Sequence, residues 1–120
     1  MDLETELDQI LAKLGMDPLG FRLSFRWLKE VILYAVYNPN TWKESYLDLL
    51  GKAEANTHEF VRQSLYKAVW DRWTPQSVHI LSEHLGHPIQ TKFKYVKPNH
   101  IEFITLLSEE LRKKYPSLPV

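Results

Sequence analysis

The sequence contains no cysteine, and this absence excludes several kinds of chemistry. Disulfides, thiolate zinc sites and cysteine nucleophiles all require a residue that the chain does not have. Glycine is also scarce, at four residues in 120, and no glycine-rich phosphate loop or nucleophile elbow can be recognised. Because no pair of carboxylates is evidently set for acid–base work either, we expect neither enzymatic activity nor a bound cofactor.

Long apolar runs are missing as well. The longest, VILYAVY at 31–37, is far too short to span a bilayer. The first segment, MDLETELDQILAKLG, is acidic and amphipathic and lacks the basic-then-apolar order of a signal peptide. We therefore expect a cytoplasmic protein with no membrane partner.

Net charge is absent, since 15 basic residues balance 15 acidic ones. Affinity for duplex DNA comes largely from phosphate neutralisation by lysine and arginine, so a neutral chain is not a typical DNA-binding one. The charge is segregated, however. The segments TKFKYVKPNH at 91–100 and LRKKY at 111–115 are basic, whereas residues 1–8 are acidic. Local clustering therefore leaves nucleic-acid binding open.

Apolar residues recur at helical spacing along most of the chain and predict one all-α domain, 1–120, with six helices. The first helix is expected to end before Gly15, the second to cover about 24–37, and the third to run from Thr41 to a break at 51–56. The fourth is expected from Asn56 or Thr57 to Trp73. The fifth should begin at Thr74–Pro75 and end at Gly86, and the sixth should run from Asn99 to about Lys114. Asn99 with Glu102 is the signature of a capping box.

The fourth predicted helix has two distinct faces at about 100° per residue. Its apolar face is made of Val61, Leu65, Ala68 and Val69. The opposite face carries Glu59, Gln63, Tyr66 and Trp70, flanked by Arg62, Phe60 and Lys67. We expect the first face to lie in the core and the second to carry the function.

Several segments together resemble a known family. KPNHIEFI at 97–104 is similar to that family's run at the start of its last helix, and WLKEVI at 27–32 followed by VYN at 36–38 is similar to its second helix. Leu85–Gly86 and Trp73 fall where it has like residues. In these features the chain resembles the C-terminal DNA-binding effector domain of the sporulation response regulator, stage 0 sporulation protein A, of spore-forming bacteria.

The resemblance implies a six-helix domain in which helices three and four form a helix-turn-helix, at about residues 43–73. The fourth helix would be the recognition helix, and binding to repeated sites would be in tandem or as a homodimer. The residues carried over to the DNA-facing positions are Glu59, Phe60, Arg62, Gln63, Tyr66 and Lys67.

These positions depart from the family, which typically has serine, arginine, glutamate, arginine, arginine and histidine there. None of the three arginines is kept in place, and Arg62 replaces a glutamate. The chain also begins at the effector domain, so we expect no phosphorylatable receiver to control it in the family's way.

Two functions therefore stay open for the fourth helix, and a domain that serves mainly for self-association is a third possibility. In the first, the chain is a sequence-specific transcription regulator whose Gln63 addresses adenine and whose Arg62 addresses guanine in double-stranded DNA. In the second, Phe60, Tyr66 and Trp70 form an aromatic surface that binds a protein regulator, such as the sporulation regulator itself or part of the transcription machinery. A third interpretation of these aromatic residues is purely structural: Phe60 and Trp70 only pack against neighbouring segments.

The basic segment before the sixth helix is a candidate arm for phosphate contacts, with lysines alternating with Phe93 and Tyr95. An alternative interpretation, compatible with the first, is a solvated loop whose aromatic rings hold it on the core. The candidate phosphate contacts are Lys43, Lys52, Lys92, Lys94 and Lys97.

A metal site is not expected. Glu83, His84 and His87 have the glutamate-histidine-x-x-histidine spacing of some zinc proteins, but Gly86 should end the helix between the two histidines. We expect His58 and His100, near helix starts, to be exposed.

Overall fold

Six α-helices make up the regular structure that a computed structural model describes over residues 2–54 and 57–118, without the side chains of 51–54. Their bounds are α1 (Leu3–Lys13), α2 (Leu23–Tyr37), α3 (Trp42–Glu54), α4 (His58–Arg72), α5 (Ser77–Leu85) and α6 (His100–Lys114). These ranges contain no strand, and the prediction of an all-α, six-helix fold is confirmed. The radius of gyration of 13.5 Å is that of one compact body of this length, for which about 13–14 Å is expected.

Helix α2 lies at the centre of the fold and packs against α1, α3, α4 and α6. Seven of its 15 residues are buried, including Trp27, Leu28 and Ile32. Burial of one such side chain contributes about 1.5–3 kcal/mol to folding. The α2 core is therefore the platform on which α4 and α6 are placed.

Most predicted helix ends are confirmed, because the signals that set them are local. Gly15 and Gly86 have left-handed backbone with φ near 80°, and α1 and α5 end just before them. The hydroxyl of Thr57 accepts a hydrogen bond from the backbone N–H of Phe60, so Thr57 is the N-cap of α4. Asn99 and Glu102 form the predicted capping box of α6.

Two predicted boundaries were wrong. The break expected at 51–56 does not begin at Gly51, because α3 continues to Glu54. A glycine inside a helix costs only about 1 kcal/mol, and the residues after it are good helix formers. The fifth helix begins at Ser77 rather than at Pro75, since Thr74–Gln76 form a turn in which Ser77 Oγ accepts a 2.9 Å hydrogen bond from Thr74 N–H.

Helix α4 is held by its apolar face, as predicted. Val61, Leu65, Ala68 and Val69 are all buried against α2, α3 and α6. Trp73, directly after the helix, is buried between the rings of Phe93 and Phe103. The opposite face of α4 is consequently turned to solvent in a fixed orientation.

Candidate functional site

Helices α3 and α4 pack against each other, as the two helices of a helix-turn-helix do. His58 Nε2 lies 2.8 Å from Asp48 Oδ1, which joins the start of α4 to α3. The connection between them includes residues 55 and 56, which are outside the described ranges. The observed arrangement is compatible with a helix-turn-helix at about residues 43–73, which stays a prediction.

The residues expected to face DNA lie together on the outer face of α4. Tyr66 is partly buried, and the other five are exposed: Glu59, Phe60, Arg62, Gln63 and Lys67. The sorting of α4 into an inner and an outer face is therefore confirmed. Its consequence is that a partner approaching this face would meet two cations, an amide, a carboxylate and two aromatic rings.

Glu59 lies at the start of this face and contacts both polar candidates beside it. Arg62 Nη1 donates a 2.5 Å hydrogen bond to Glu59 Oε2, and Gln63 Nε2 donates a 2.9 Å bond to Glu59 Oε1. The guanidinium and the amide predicted to address bases are thus held by one carboxylate within the helix. As an acidic residue in the first turn, Glu59 also complements the helix dipole.

The aromatic residues of α4 form two separate contacts. Tyr66 and Trp70 stack, with ring centroids 5.5 Å apart and planes 15° from parallel. The rings of Phe60 and of Trp27 on α2 are nearly perpendicular, with centroids 6.0 Å apart, yet 54% of Phe60 is exposed. One side of the Phe60 ring packs on α2 and the other is exposed. The alternative that Phe60 only packs against neighbouring segments therefore describes this residue only in part.

The basic arm at 91–98 lies against the end of α4. Phe93 packs on Trp73 at 5.5 Å, and Lys94 N–H donates a 2.8 Å hydrogen bond to Glu102 Oε2. The prediction that aromatic rings hold the loop is confirmed for Phe93. It was wrong for Tyr95, which is 65% exposed, because that ring contacts the ammonium of Lys94 rather than the core.

The five lysines predicted to contact phosphate occupy different settings. Lys92 and Lys94 are exposed on the arm, and Lys43 is exposed on α3. Lys97 is partly buried and is turned onto Trp70. The side chain of Lys52 lies outside the described residues.

Lys43 and Lys92 line one groove of about 670 Å³ between the arm and α6. The groove is also lined by Lys113 and by three carboxylates: Glu102, Glu109 and Glu110. The arm and α3 each contribute one lysine and no carboxylate to this groove, whereas α6 contributes one lysine and three carboxylates. A phosphate backbone would be expected to follow the arm rather than α6.

A buried polar pair beneath α4 was missed from the sequence. Tyr46 Oη lies 3.0 Å from His100 Nε2, joining α3 to the start of α6. His100 is only 6% exposed, so the expectation that it is exposed was wrong. Burial, with a smaller effect of the Arg62 guanidinium, lowers the pKa of His100 to about 4. His100 is therefore neutral at pH 7 and adds no positive charge to this region.

A second polar cluster lies away from α4 and was also missed. Glu6 of α1 is 2% exposed and accepts hydrogen bonds from Lys114 and from Tyr115 Oη, the latter at 2.5 Å. His84 Nε2 lies 3.2 Å from the same carboxylate, while Lys13 Nζ donates to His84 Nδ1 at 2.8 Å. The cluster joins α1, α5 and the end of α6.

Burial alone would raise the pKa of Glu6, but the hydrogen bonds from Lys114 and Tyr115 outweigh it and lower that pKa. The same hydrogen bond to Glu6 raises the pKa of the Tyr115 hydroxyl to about 12. Glu6 is therefore ionised and Tyr115 neutral at pH 7, as a stable structural contact requires.

The glutamate-histidine-x-x-histidine segment does not bring its histidines together. Gly86 ends α5, as predicted, and His84 faces Glu6 whereas His87 Nε2 lies 3.0 Å from Glu110. Over the described ranges, no three histidine or carboxylate side chains are grouped as a metal site. In the same ranges, every helix is too short or too polar to cross a bilayer.

Comparison of the chain with family models, with curated proteins and with solved structures finds no match.

Proposed function

We propose that the chain is a sequence-specific DNA-binding transcription regulator, and that α4 is its recognition helix. The observation that carries the proposal is the two-sided character of α4. One face is buried against α2, α3 and α6, and the other presents Arg62, Gln63 and Lys67 to solvent. The resemblance of KPNHIEFI and WLKEVI to the sporulation effector domain adds support, and a cytoplasmic location belongs to the same proposal.

In this mechanism the outer face of α4 enters the major groove. Arginine pairs with the O6 and N7 of guanine, and glutamine pairs with N6 and N7 of adenine, which gives Arg62 and Gln63 their roles. Lys92 and Lys94 on the arm would hold phosphates beside the groove and fix the register of the helix. Lys43 and Lys52 are the corresponding candidates on α3.

The experiment that tests the proposal is a titration of the purified protein with random-sequence duplex DNA at several salt concentrations, followed by selection of bound sequences from a pool. A DNA reader loses affinity steeply with salt, because bound phosphates release counterions, and it enriches a motif. An absence of binding at the lowest salt concentration would reject the proposal.

A second candidate function is recognition of a protein through the aromatic residues of α4. It is favoured by the 54% exposure of Phe60 and by the stacked Tyr66–Trp70 pair, since partly exposed aromatic rings are common anchors of interfaces. The partner would be the sporulation regulator or a component of the transcription machinery.

Calorimetry with the purified effector domain of stage 0 sporulation protein A examines this second candidate directly. Protein recognition predicts that Phe60→Ala weakens the complex at least about tenfold, as loss of an aromatic anchor does, while Lys94→Ala has little effect. A larger loss of duplex DNA affinity for Lys94→Ala than for Phe60→Ala would favour the first candidate.

A further inference from the structure

The carboxylate of Glu59 uses both of its oxygens within the proposed recognition face. Oε2 accepts from Arg62 and Oε1 accepts from Gln63, so the two donors that would address bases already have a partner in the free protein. The side chain of Glu59 is 63% exposed and that of Arg62 47% exposed, and Gln63 is exposed as well, so DNA can reach all three side chains.

We propose that Glu59 is an internal competitor for DNA, which holds Arg62 and Gln63 until a cognate sequence replaces it. The inference rests on the proposed function and adds the regulation of the same site. Glu59 would affect specificity, because cognate and non-cognate duplexes differ in the base acceptors that they present to Arg62 and Gln63.

On a cognate site, guanine and adenine edges supply hydrogen bonds that compensate for those lost from Glu59. On a non-cognate site only a phosphate can replace Glu59 as the partner of Arg62, and Gln63 gains nothing in exchange. Arg62 is then shared between Glu59 and the phosphate and contributes less to binding. The exposed pair is weak enough to exchange, since ion pairs of this kind contribute little in water. Glu59 therefore suppresses non-specific binding more than specific binding.

The charge of the carboxylate acts in the same direction. An anion on the face that approaches DNA repels the phosphates. At physiological salt the screening length is about 8 Å, so the repulsion acts mainly on phosphates close to Glu59. A cognate complex overcomes it through base contacts, whereas a non-cognate complex depends on electrostatic attraction alone.

The decisive measurement is the salt dependence of binding for Glu59→Gln, on a selected cognate duplex and on a non-cognate duplex. In the variant, Arg62 becomes free to contact a phosphate in non-cognate complexes. The affinity for non-cognate DNA should rise about fivefold. The slope of log K against log salt there should steepen by up to about 0.9, the value for one further phosphate contact, while the slope on the cognate site stays as in the wild type.

Glu83→Gln is the matched control. Glu83 is an exposed carboxylate on α5 with its own partner in the helix, His79 at 3.3 Å, and it lies outside the proposed interface. The control changes net charge by the same amount and should leave both slopes unchanged. Glu59→Ala, which removes every acceptor at the position, should change non-cognate binding at least as much as Glu59→Gln.

The outcomes separate this inference from the function beneath it. If the wild type binds DNA and Glu59→Gln behaves like Glu83→Gln, the competitor role is overturned and the DNA function stands. If Glu59→Gln weakens the cognate complex and loses a preference for cytosine, Glu59 is a base reader rather than a competitor. Binding by Glu59→Gln but not by the wild type would overturn the inference, because the wild type would then never exchange Glu59 for a cognate sequence, and binding by neither at low salt would overturn both.

Discussion

The ammonium group of Lys97 lies 5.3 Å from the centre of the Trp70 ring and donates a 3.0 Å hydrogen bond to the carbonyl oxygen of Trp70. A single side chain therefore fastens the basic arm to the end of α4. Trp70 in turn stacks on Tyr66, so the arm, the aromatic pair and the outer face of α4 are mechanically connected.

We expect Lys97→Ala to lower the free energy of unfolding by about 1–2 kcal/mol, because it removes a cation–π contact and a charged hydrogen bond. Urea unfolding followed by tryptophan fluorescence measures this change. Lys94→Ala is the control, since its ammonium is exposed and contacts the exposed ring of Tyr95. Its effect should stay below about 0.5 kcal/mol. Equal stability of the two variants would show that the contacts of Lys97 with Trp70 do not stabilise the fold.

Substitutions in the proposed DNA interface should separate base reading from phosphate contact. Arg62→Ala or Gln63→Ala should relax the preference at one base position, with a loss of about 1–3 kcal/mol of discrimination. Lys94→Ala should weaken all sequences alike and reduce the salt slope by about 1. The measurement is site selection with salt titration of each variant; a uniform effect from Arg62→Ala would reassign that residue to phosphate.

Glu6→Gln should destabilise the fold by about 1–3 kcal/mol at pH 7, because Glu6 is buried and the amide removes the charged acceptor of Tyr115 and of the partly exposed Lys114. Glu4→Gln is a suitable control, since Glu4 is 63% exposed and its 2.8 Å pair with Lys29 should contribute at most about 1 kcal/mol. Chemical unfolding of both variants decides the matter. A loss no larger for Glu6 than for Glu4 would contradict the structural role of the cluster.

The pH dependence of the Glu6 contribution follows from its lowered pKa. A carboxylate with a lowered folded-state pKa stabilises the fold fully above its ordinary value, 4.5, and the contribution is lost as the pH falls through the lowered value. The difference between wild type and Glu6→Gln should therefore be constant near neutrality and shrink only in acid below about 4.5.

His100 should lower the free energy of unfolding as the pH falls from about 6.5 to about 4. The unfolded chain takes up a proton near 6.5, but the buried imidazole does so only near 4, so acidification between these values favours the unfolded state. At pH 5 this costs about 2 kcal/mol relative to pH 7. Unfolding of the wild type and of His100→Gln at both pH values tests it, and an equal loss in the two proteins would refute the assignment.

Local signals in the sequence predicted the helices well, and the reason is that their causes lie within a few residues. The Asn99–Glu102 capping box and the left-handed Gly86 are complete within four residues or fewer. The end of α3 was misjudged because Gly51 alone does not outweigh the helix formers that follow it. The periodic pattern of α4 likewise predicted which of its faces is buried.

The polar contacts of the site could not be predicted in the same way. Tyr46 and His100 are 54 residues apart, and Glu6 and Tyr115 are 109 apart, so no local pattern connects them. Glu59 was placed on the outer face of α4 by periodicity, but its two hydrogen bonds depend on side-chain rotamers that spacing does not specify. Topology and rotamers, rather than propensity, determine these contacts.

The joining of α1 to residues 114 and 115 has a consequence for the order in which the chain folds during synthesis. Glu6 leaves the ribosome long before Tyr115, and at about 5–20 residues per second the interval is roughly 5–20 s. Throughout that time the Glu6 carboxylate lacks its two donors Lys114 and Tyr115, so hydration by water stabilises it in their place. Helix α1 can therefore complete its polar contacts only after the end of α6 has been made.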